Sequence, residues 1–236
     1  MPLRGSLRTL VEGFGSALLA PACVLCRREA VDARICADCR ALLTTNAPAC
    51  ARCAQPLPTA APLCGTCLRD PPAFDAASAA FRYAAPLDHL IQRLKFDDAL
   101  VVSRALLPQW LATLRGQRAA PWPQLLLPVP LHPSRLRRRG YNQAHELARD
   151  LGRALDIPVR TDLLLRTRAT APMPGLDRET RRRNVRGAFA VTGAPPAHVA
   201  LVDDVMTSGA TLNAAARALK RAGGVCVEAI VLARKP

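Results

Sequence analysis

The chain has 236 residues, half of them apolar but only 4% aromatic, and a formal net charge of +15. That length accommodates one ordinary domain plus a small one, with a core packed mainly from aliphatic side chains. No stretch is long and apolar enough to span a bilayer, so stable membrane insertion is not expected. The basic balance favours acidic partners: nucleic acid, anionic surfaces or phosphorylated small molecules.

Residues 1–20 read as a short amphipathic helix with Leu7, Leu10, Val11 and Phe14 on one face. Arg4 and Arg8 precede a partly apolar run, but Glu12, Gly13 and Gly15 interrupt it, which argues against a signal peptide. A cytoplasmic location is expected.

Eight of the nine cysteines then fall into four C-x-x-C pairs within 45 residues: Cys23/Cys26, Cys36/Cys39, Cys50/Cys53 and Cys64/Cys67. A disulfide framework would need an oxidising compartment, and nothing in the sequence points to export. A C-x-x-C knuckle also presents two thiolates to one face of a tetrahedral zinc ion, and two knuckles complete a four-thiolate structural site. Nine and ten residues separate the knuckles of the first and second sets. This near-equality suggests a duplicated ribbon, each unit too small to hold a core without metal. The expectation is a double zinc ribbon over 21–73 with one or two structural ions; interlaced pairing of the knuckles stays open. Cys226, alone in an apolar run, reads as a small core residue.

Pro71 and Pro72 close the cysteine region, and the remainder, 74–236, reads as a second domain. Residues 76–83 are small, apolar and extended. Pro86 opens a helix with Leu87, Leu90, Ile91 and Leu94 at helical spacing, and a second helix covers 100–114. Buried strands are expected at 125–129 and 199–202, and shorter ones at 163–166 and 188–191. Asn142 caps a helix whose Ala144, Leu147, Ala148, Leu151 and Leu155 share a face. A helix over 212–222 stops at Gly223 and Gly224, and 225–232 is a last strand. Apolar strands alternating with helices indicate an α/β fold with a parallel sheet covered on both faces.

The most informative segment is Leu201-Val202-Asp203-Asp204-Val205-Met206-Thr207-Ser208-Gly209-Ala210-Thr211. A strand delivers two acids to its carboxyl end, where ligands of open α/β sheets sit. The Thr/Ser/Gly loop offers hydroxyls and backbone N–H groups, and the following helix N-terminus favours a phosphate. The two acids suit sugar hydroxyls, so the segment as a whole suits a ribose 5-phosphate.

These residues resemble the signature of type I phosphoribosyltransferases. The resemblance implies that Asp203 and Asp204 hold the ribose 2′- and 3′-hydroxyls of phosphoribosyl pyrophosphate, and that Thr207, Ser208, Gly209, Ala210 and Thr211 cradle its 5′-phosphate. Magnesium, a hard cation with oxygen ligands, is implied as the companion ion. The family's pyrophosphate loop falls after Pro128-Val129-Pro130, and its mobile hood over 175–189. A guanidinium forks onto phosphate oxygens, so pyrophosphate partners are expected among the arginines of 135–139 and 181–186. The sequence does not choose between them, and Arg139 and Arg182 are carried forward as candidates beside what is otherwise surface charge.

The cysteine knuckles, Leu94-Lys95-Phe96, Arg139-Gly140-Tyr141-Asn142-Gln143, Asn184-Val185-Arg186-Gly187-Ala188-Phe189 and the acid-pair signature together resemble the ComF family, over nearly the whole chain. That family is associated with natural competence, the uptake of DNA for transformation. The hood departs from its pattern, with Met173 near a usual glutamine and an acid displaced to Glu179. Purine-salvage relatives carry an acidic base three residues after the acid pair, where this chain has Thr207. The acceptor of any pentosyl transfer is therefore not readable.

Two functions are carried forward. One is a phosphoribosyltransferase using magnesium phosphoribosyl pyrophosphate. The other is a non-catalytic zinc-ribbon adaptor for single-stranded DNA or DNA-import proteins, with the sugar-phosphate site regulatory or vestigial. For DNA, the arginine runs supply phosphate contacts but only Tyr141 offers a stacking platform among them. Of His89, His132, His145 and His198, only His132 falls near the expected site, and a structural role is the favoured reading.

Overall fold

The structure, a computed structural model, describes residues 22–30, 34–94, 99–117, 121–169 and 178–236. The amphipathic helix read over 1–20 lies outside them, as do Lys95, Phe96 and Met173. A four-stranded parallel sheet forms the centre: β1 (Ala76–Arg82), β2 (Leu125–Pro128), β5 (His198–Met206) and β6 (Cys226–Arg234), in the order β1-β6-β5-β2. Residues 158–160 extend it beyond β2 through two backbone hydrogen bonds with Leu126. The strands are apolar on both sides because both faces are covered.

Helices α3 (Leu87–Arg93), α4 (Ala99–Gln117) and α6 (Gln143–Leu155) cover one face, where Leu90, Ile91, Leu106, Trp110, Leu147 and Leu151 meet Ala200, Val202, Ile230 and Leu232. Helix α8 (Ala210–Arg221) and a small antiparallel pair, β3 (Leu164–Arg166) with β4 (Phe189–Val191), cover the other. There Leu212, Ala216 and Leu219 meet Val199, Leu201, Val227 and Ala229. Helix α7 (Arg178–Val185) sits between β3 and β4 in sequence. The strands and helices expected within 74–236 are therefore present, with ends moved by one to four residues. Strand β5 differs most: it continues through both acids to Met206, because Asp203, Val205 and Met206 stay in register with β6.

The cysteine region is built into this core. Val24, Ile35 and Leu43 of the first ribbon join the α3/α4/α6 face, whereas Ala54 and Phe74 at the second ribbon join the α8 face. The segment between the ribbons pairs with the edge strand: Asn46 N–H donates to the Ala80 carbonyl at 3.0 Å, and Arg82 N–H to the Thr44 carbonyl at 2.9 Å. Covering an open edge in this way removes a site for unwanted strand pairing.

Close approach explains Gly152 on α6. A Cβ there would lie 2.6 Å from Val159 Cγ2 and 2.7 Å from the Ile157 carbonyl oxygen, so the glycine lets the helix press against the extra edge segment. Gly152→Ala should lower the unfolding free energy by about 1–3 kcal/mol through overpacking. Urea denaturation checks this, and an unchanged midpoint would mean that the 157–159 segment yields freely.

Candidate functional site

The four knuckles assemble as two separate clusters, Cys23/Cys26/Cys36/Cys39 and Cys50/Cys53/Cys64/Cys67, with all sulfurs of each within 4.8 Å of one another. The interlaced alternative is thereby removed, and no cysteine is in a disulfide. The clusters repeat one another bond for bond. Cys36 N–H donates to Cys23 Sγ at 3.4 Å, and Cys64 N–H to Cys50 Sγ at 3.2 Å. Arg27 N–H reaches the Cys23 carbonyl and Ala54 N–H the Cys50 carbonyl. Arg27 and Ala54 share a left-handed conformation, with φ of 65° and 54°. Each second knuckle opens a five-residue helix, α1 (Ala37–Ala41) or α2 (Gly65–Arg69), with Cys36 or Cys64 as N-cap.

The donor chemistry fits structural zinc. Burial disfavours the Cys23 thiolate, but the N–H groups of Cys26, Cys36 and Leu25 outweigh it and hold its pKa at about 6. At Cys64, burial is similarly outweighed by the Cys67 N–H and neighbouring thiols, giving about 7. Burial and adjacent sulfurs push Cys39 to about 12, and burial pushes Cys53 to about 11 and Cys67 up as well. Four thiolates so close together need a cation to coexist.

At the carboxyl end of the sheet, neighbouring residues of β5 point to opposite faces. Asp203 belongs to the face holding Arg166 and Asp204 to the face holding Tyr83; each basic or phenolic group is near enough to act electrostatically on its acid or be acted upon. Asp203 Oδ1 accepts the Asp204 N–H at 2.9 Å, and Asp204 Oδ1 accepts the Val205 N–H at 2.7 Å. Burial first, then the charge of Asp204, raises the Asp203 carboxyl well above the usual range, against the pull of the Asp204 N–H and Arg166. Such an oxygen-rich, mutually repelling pair fits a hard divalent cation such as magnesium.

Strand β5 passes into α8 through Thr207, Ser208 and Gly209. Gly209 is the N-cap with φ of 72°, a left-handed conformation that side chains resist, so the turn into the helix depends on glycine here. Ser208 Oγ lies 3.4 Å from the Ala210 N–H. Thr207 is exposed, while Ser208, Gly209 and Thr211 are half-buried and Ala210 is buried. The predicted loop residues therefore surround one helix N-terminus, beside the acids.

The arginine run after β2 forms a helix that the sequence did not suggest, α5 (Pro133–Arg139), with no buried residue to impose a periodicity. His132 caps it, its Nδ1 accepting the Ser134 N–H at 3.3 Å and lying 2.7 Å from Ser134 Oγ. That geometry supports the structural reading of His132. Arg139 ends α5, half-buried and within electrostatic reach of Arg135, whereas Arg137 and Arg138 are exposed. Arg182 lies on α7, with its side chain outside the described residues. Asn142 locks the following turn: its Nδ2 donates to the Val129 carbonyl at 3.0 Å and its Oδ1 caps α6 at Ala144. Tyr141 donates its hydroxyl to the Leu94 carbonyl at 2.9 Å. A cavity of about 730 Å³ separates this loop from β3, bounded by Pro130, His132, Tyr141, His145 and Arg166.

Two arginines carry more of the site than the sequence suggested. Arg166, at the end of β3, is 8% exposed, lies 5.6 Å from the Phe189 ring centre and faces Asp203 electrostatically. Arg234, at the end of β6, is 7% exposed and hydrogen-bonds both the second ribbon and the Met206–Thr207 loop. Neither lies in a motif; each gains its place from contacts distant in sequence. Cys226 is half-buried rather than in the core, since it opens β6 at the sheet's other end beside His198 and Glu228, whose side chains meet at 3.0 Å.

Residues 14–68 match the double zinc ribbon domain family, and residues 137–236 match the phosphoribosyl transferase domain family. The chain is 36% identical over 174 residues to Competence protein F of Haemophilus influenzae, covering 71% of this chain and 76% of that protein. It is 35% identical to the DNA utilization protein YhgH of Escherichia coli K12, covering 71% and 75%. To Competence protein ComFC of Streptococcus pneumoniae it is 26% identical over 159 residues, covering 66% and 67%. No helix among the described residues is long and apolar enough to cross a membrane.

Because Cys39, Cys53 and Cys67 hold their protons at neutral pH, zinc added to the metal-free protein should release protons, and its affinity should strengthen as pH rises. An indicator dye in weak buffer counts the protons, and atomic emission counts the metal. Zinc binding without proton release would contradict thiolate ligation of these three sulfurs.

Proposed function

The chain belongs to the ComF family, and from the geometry of its β5–α8 junction we propose that it binds magnesium phosphoribosyl pyrophosphate there, in a protein serving DNA uptake. The carrying observation is the conjunction of an acid pair in β5 with a glycine-capped loop at the N-terminus of α8. A phosphate at that terminus meets backbone N–H groups and the positive end of the helix dipole. Under this reading Asp203 and Asp204 accept hydrogen bonds from the ribose 2′- and 3′-hydroxyls, and Thr207, Ser208, Gly209, Ala210 and Thr211 enclose the 5′-phosphate. Arg139 and Arg182 receive the pyrophosphate as it departs, as charge-assisted forks on its oxygens. Magnesium, when bound, supplies positive charge to the pyrophosphate oxygens. Buried Arg166 holds a fixed positive charge opposite Asp203 and so keeps the acid side of the site electrically balanced.

Pentosyl transfer follows if an acceptor attacks the anomeric carbon as pyrophosphate leaves. Thr207 stands where an acidic general base would serve a purine acceptor, so a purine base is disfavoured as the substrate. The connection with DNA uptake rests on relatives named for competence and for DNA utilization. One further observation favours a second reading, a non-catalytic adaptor: Arg137 and Arg138 are exposed on α5 and suit the phosphates of single-stranded DNA.

Calorimetric titration of phosphoribosyl pyrophosphate into the zinc-loaded protein, with and without magnesium, separates these readings. We expect magnesium-assisted binding, weakened at least about tenfold in an Asp203→Asn/Asp204→Asn variant, as loss of two charged hydrogen-bond acceptors implies. No binding by the folded wild type would remove the donor-site reading and leave the adaptor.

A further inference from the structure

The guanidinium of Arg234 joins two parts of the chain that the sequence keeps far apart. Its Nε–H donates to the Cys53 carbonyl at 3.1 Å and its Nη2–H to Gln55 Oε1 at 2.7 Å, both in the second ribbon. Its Nη1–H groups donate to the Met206 carbonyl at 3.1 Å and to the Thr207 and Lys235 carbonyls. Five oxygens thus receive one buried cation, and two of them belong to the loop that follows the acid pair.

The direction of those two carbonyls matters. In a trans peptide unit the C=O and the N–H of the next residue point opposite ways. With the Met206 and Thr207 carbonyls turned toward Arg234, the N–H groups of Thr207 and Ser208 are turned away from it. Successive N–H groups ahead of a left-handed Gly209 and a helix N-terminus form a concavity suited to an anion. Arg234 therefore sets the aim of amide donors that it does not itself supply.

The other end of the clamp is equally constrained. Cys53 is a sulfur ligand of the second cluster, and Gln55 lies within the same turn, closed by Cys50 N–H to the Gln55 carbonyl at 2.9 Å and Ala54 N–H to the Cys50 carbonyl at 2.8 Å. The shape of that turn is what presents the Cys53 carbonyl and Gln55 Oε1 to the guanidinium. The exit from the ribbon is pinned to α8 as well: the Ala73 N–H donates to Asn213 Oδ1 at 2.6 Å, and Lys220 meets Asp75 at 2.7 Å. The first ribbon has a different anchor, with Arg93 of α3 donating to the Val24 carbonyl, on the opposite face of the sheet.

We infer that Arg234 is a positioning residue for the anion-binding loop, and that it ties the conformation of that loop to metal loading of the second cysteine cluster. The inference rests on the donor-site reading for its ligand, but the clamp itself is separately measurable. A loaded second ribbon holds two acceptors in place, so the guanidinium keeps its grip on Met206 and Thr207. Loss of that metal withdraws both acceptors and leaves a buried cation free to turn toward other oxygens, releasing the loop.

Hydrogen exchange of the amides at 207–210, followed by mass spectrometry on the full chain, is the direct test, with calorimetric binding of ribose 5-phosphate as its companion. Arg234→Lys keeps the charge but not the fork, and Gln55→Ala removes a single acceptor should the first variant fold poorly. Both should retain the wild-type zinc content. Both should also exchange these amides about tenfold faster and bind ribose 5-phosphate about tenfold more weakly, the size of one charged hydrogen bond. Cys67→Ser, which disables the second cluster, should accelerate the same amides, whereas Cys26→Ser in the first should leave them at the wild-type rate. Unchanged loop exchange in folded Arg234→Lys and Gln55→Ala would overturn the inference. Equal acceleration by Cys67→Ser and Cys26→Ser would overturn its link to the second ribbon. Faster exchange in the Arg234 variant, in a protein whose wild type binds no ribose 5-phosphate, would support the clamp and refute the donor-site reading instead.

Discussion

A buried guanidinium is stable only if oxygens surround it, and four backbone carbonyls and one side-chain amide accept hydrogen bonds from Arg234. The requirement runs in both directions. The cation needs the ribbon turn and the β5–α8 loop held in place, and those carbonyls, at the ends of elements where backbone partners run out, need a donor. Met206 shows the economy of the arrangement: its carbonyl also accepts the Lys235 N–H at 3.0 Å, so it serves Arg234 at the end of β6 and the residue that follows it. The ribbon, the end of the sheet and the start of α8 are thereby fixed against one another.

The same reasoning explains why the two ribbons differ in their relation to the rest of the chain despite their matching internal bonds. Each is too small to bury a core, so each needs both a metal and a face of the sheet. The first places Val24, Ile35 and Leu43 among α3 and α4. The second contributes Ala54 and, at its exit, Phe74, whose ring approaches Gly209, with Cys53 and Ala73 partly buried beside them. With less apolar area to bury, the second ribbon relies more on polar anchors: Arg234, Asn213, and the Lys220–Asp75 pair, in which the Lys220 ammonium and the Val227 N–H hold the Asp75 carboxyl below its usual range although burial opposes ionisation. Polar anchors are directional where apolar packing is not, and this suits a part lying against a ligand loop.

What was legible in the sequence was what repeats or has a period. Four C-x-x-C pairs gave the clusters, apolar runs gave the parallel strands, and Leu147, Ala148 and Leu151 gave the buried face of α6. Helix α5 escaped because it buries nothing, although Pro133 at its start and Gly140 at its end are the usual punctuation of a helix. The continuation of β5 through Asp203 and Asp204 escaped because acids read as a strand's end, while Asp203, Val205 and Met206 remain paired with β6. Arg234 was unreadable for a different reason. Its partners Cys53 and Gln55 are 181 and 179 residues away, and nothing local marks a lone arginine as a buried clamp.

The electrostatics of the sheet's carboxyl end explain why an acid pair and several arginines can share so small a region. Burial and the nearby charge of Arg135 lower the proton affinity of Arg166, with Asp203 opposing; burial and the charges of Arg139 and Arg138 do the same at Arg135. Burial and Asp204 raise the Asp203 carboxyl. Each sign is therefore strained on its own: the acids repel one another, and so do the arginines. A ligand that is neutral throughout would relieve neither. A phosphorylated sugar accompanied by a divalent cation would relieve both: its phosphate oxygens would meet the arginines, its hydroxyls would donate to the acids, and the cation would add positive charge to the region. Under the proposed reading, that complementarity selects the donor class, while the exposed Thr207 side chain adds no charge at the position where an acid would serve a purine acceptor. On that reading, donor recognition and acceptor chemistry are separable in this chain: the first would rest on β5 and its loop, and the second would come from whatever enters opposite them.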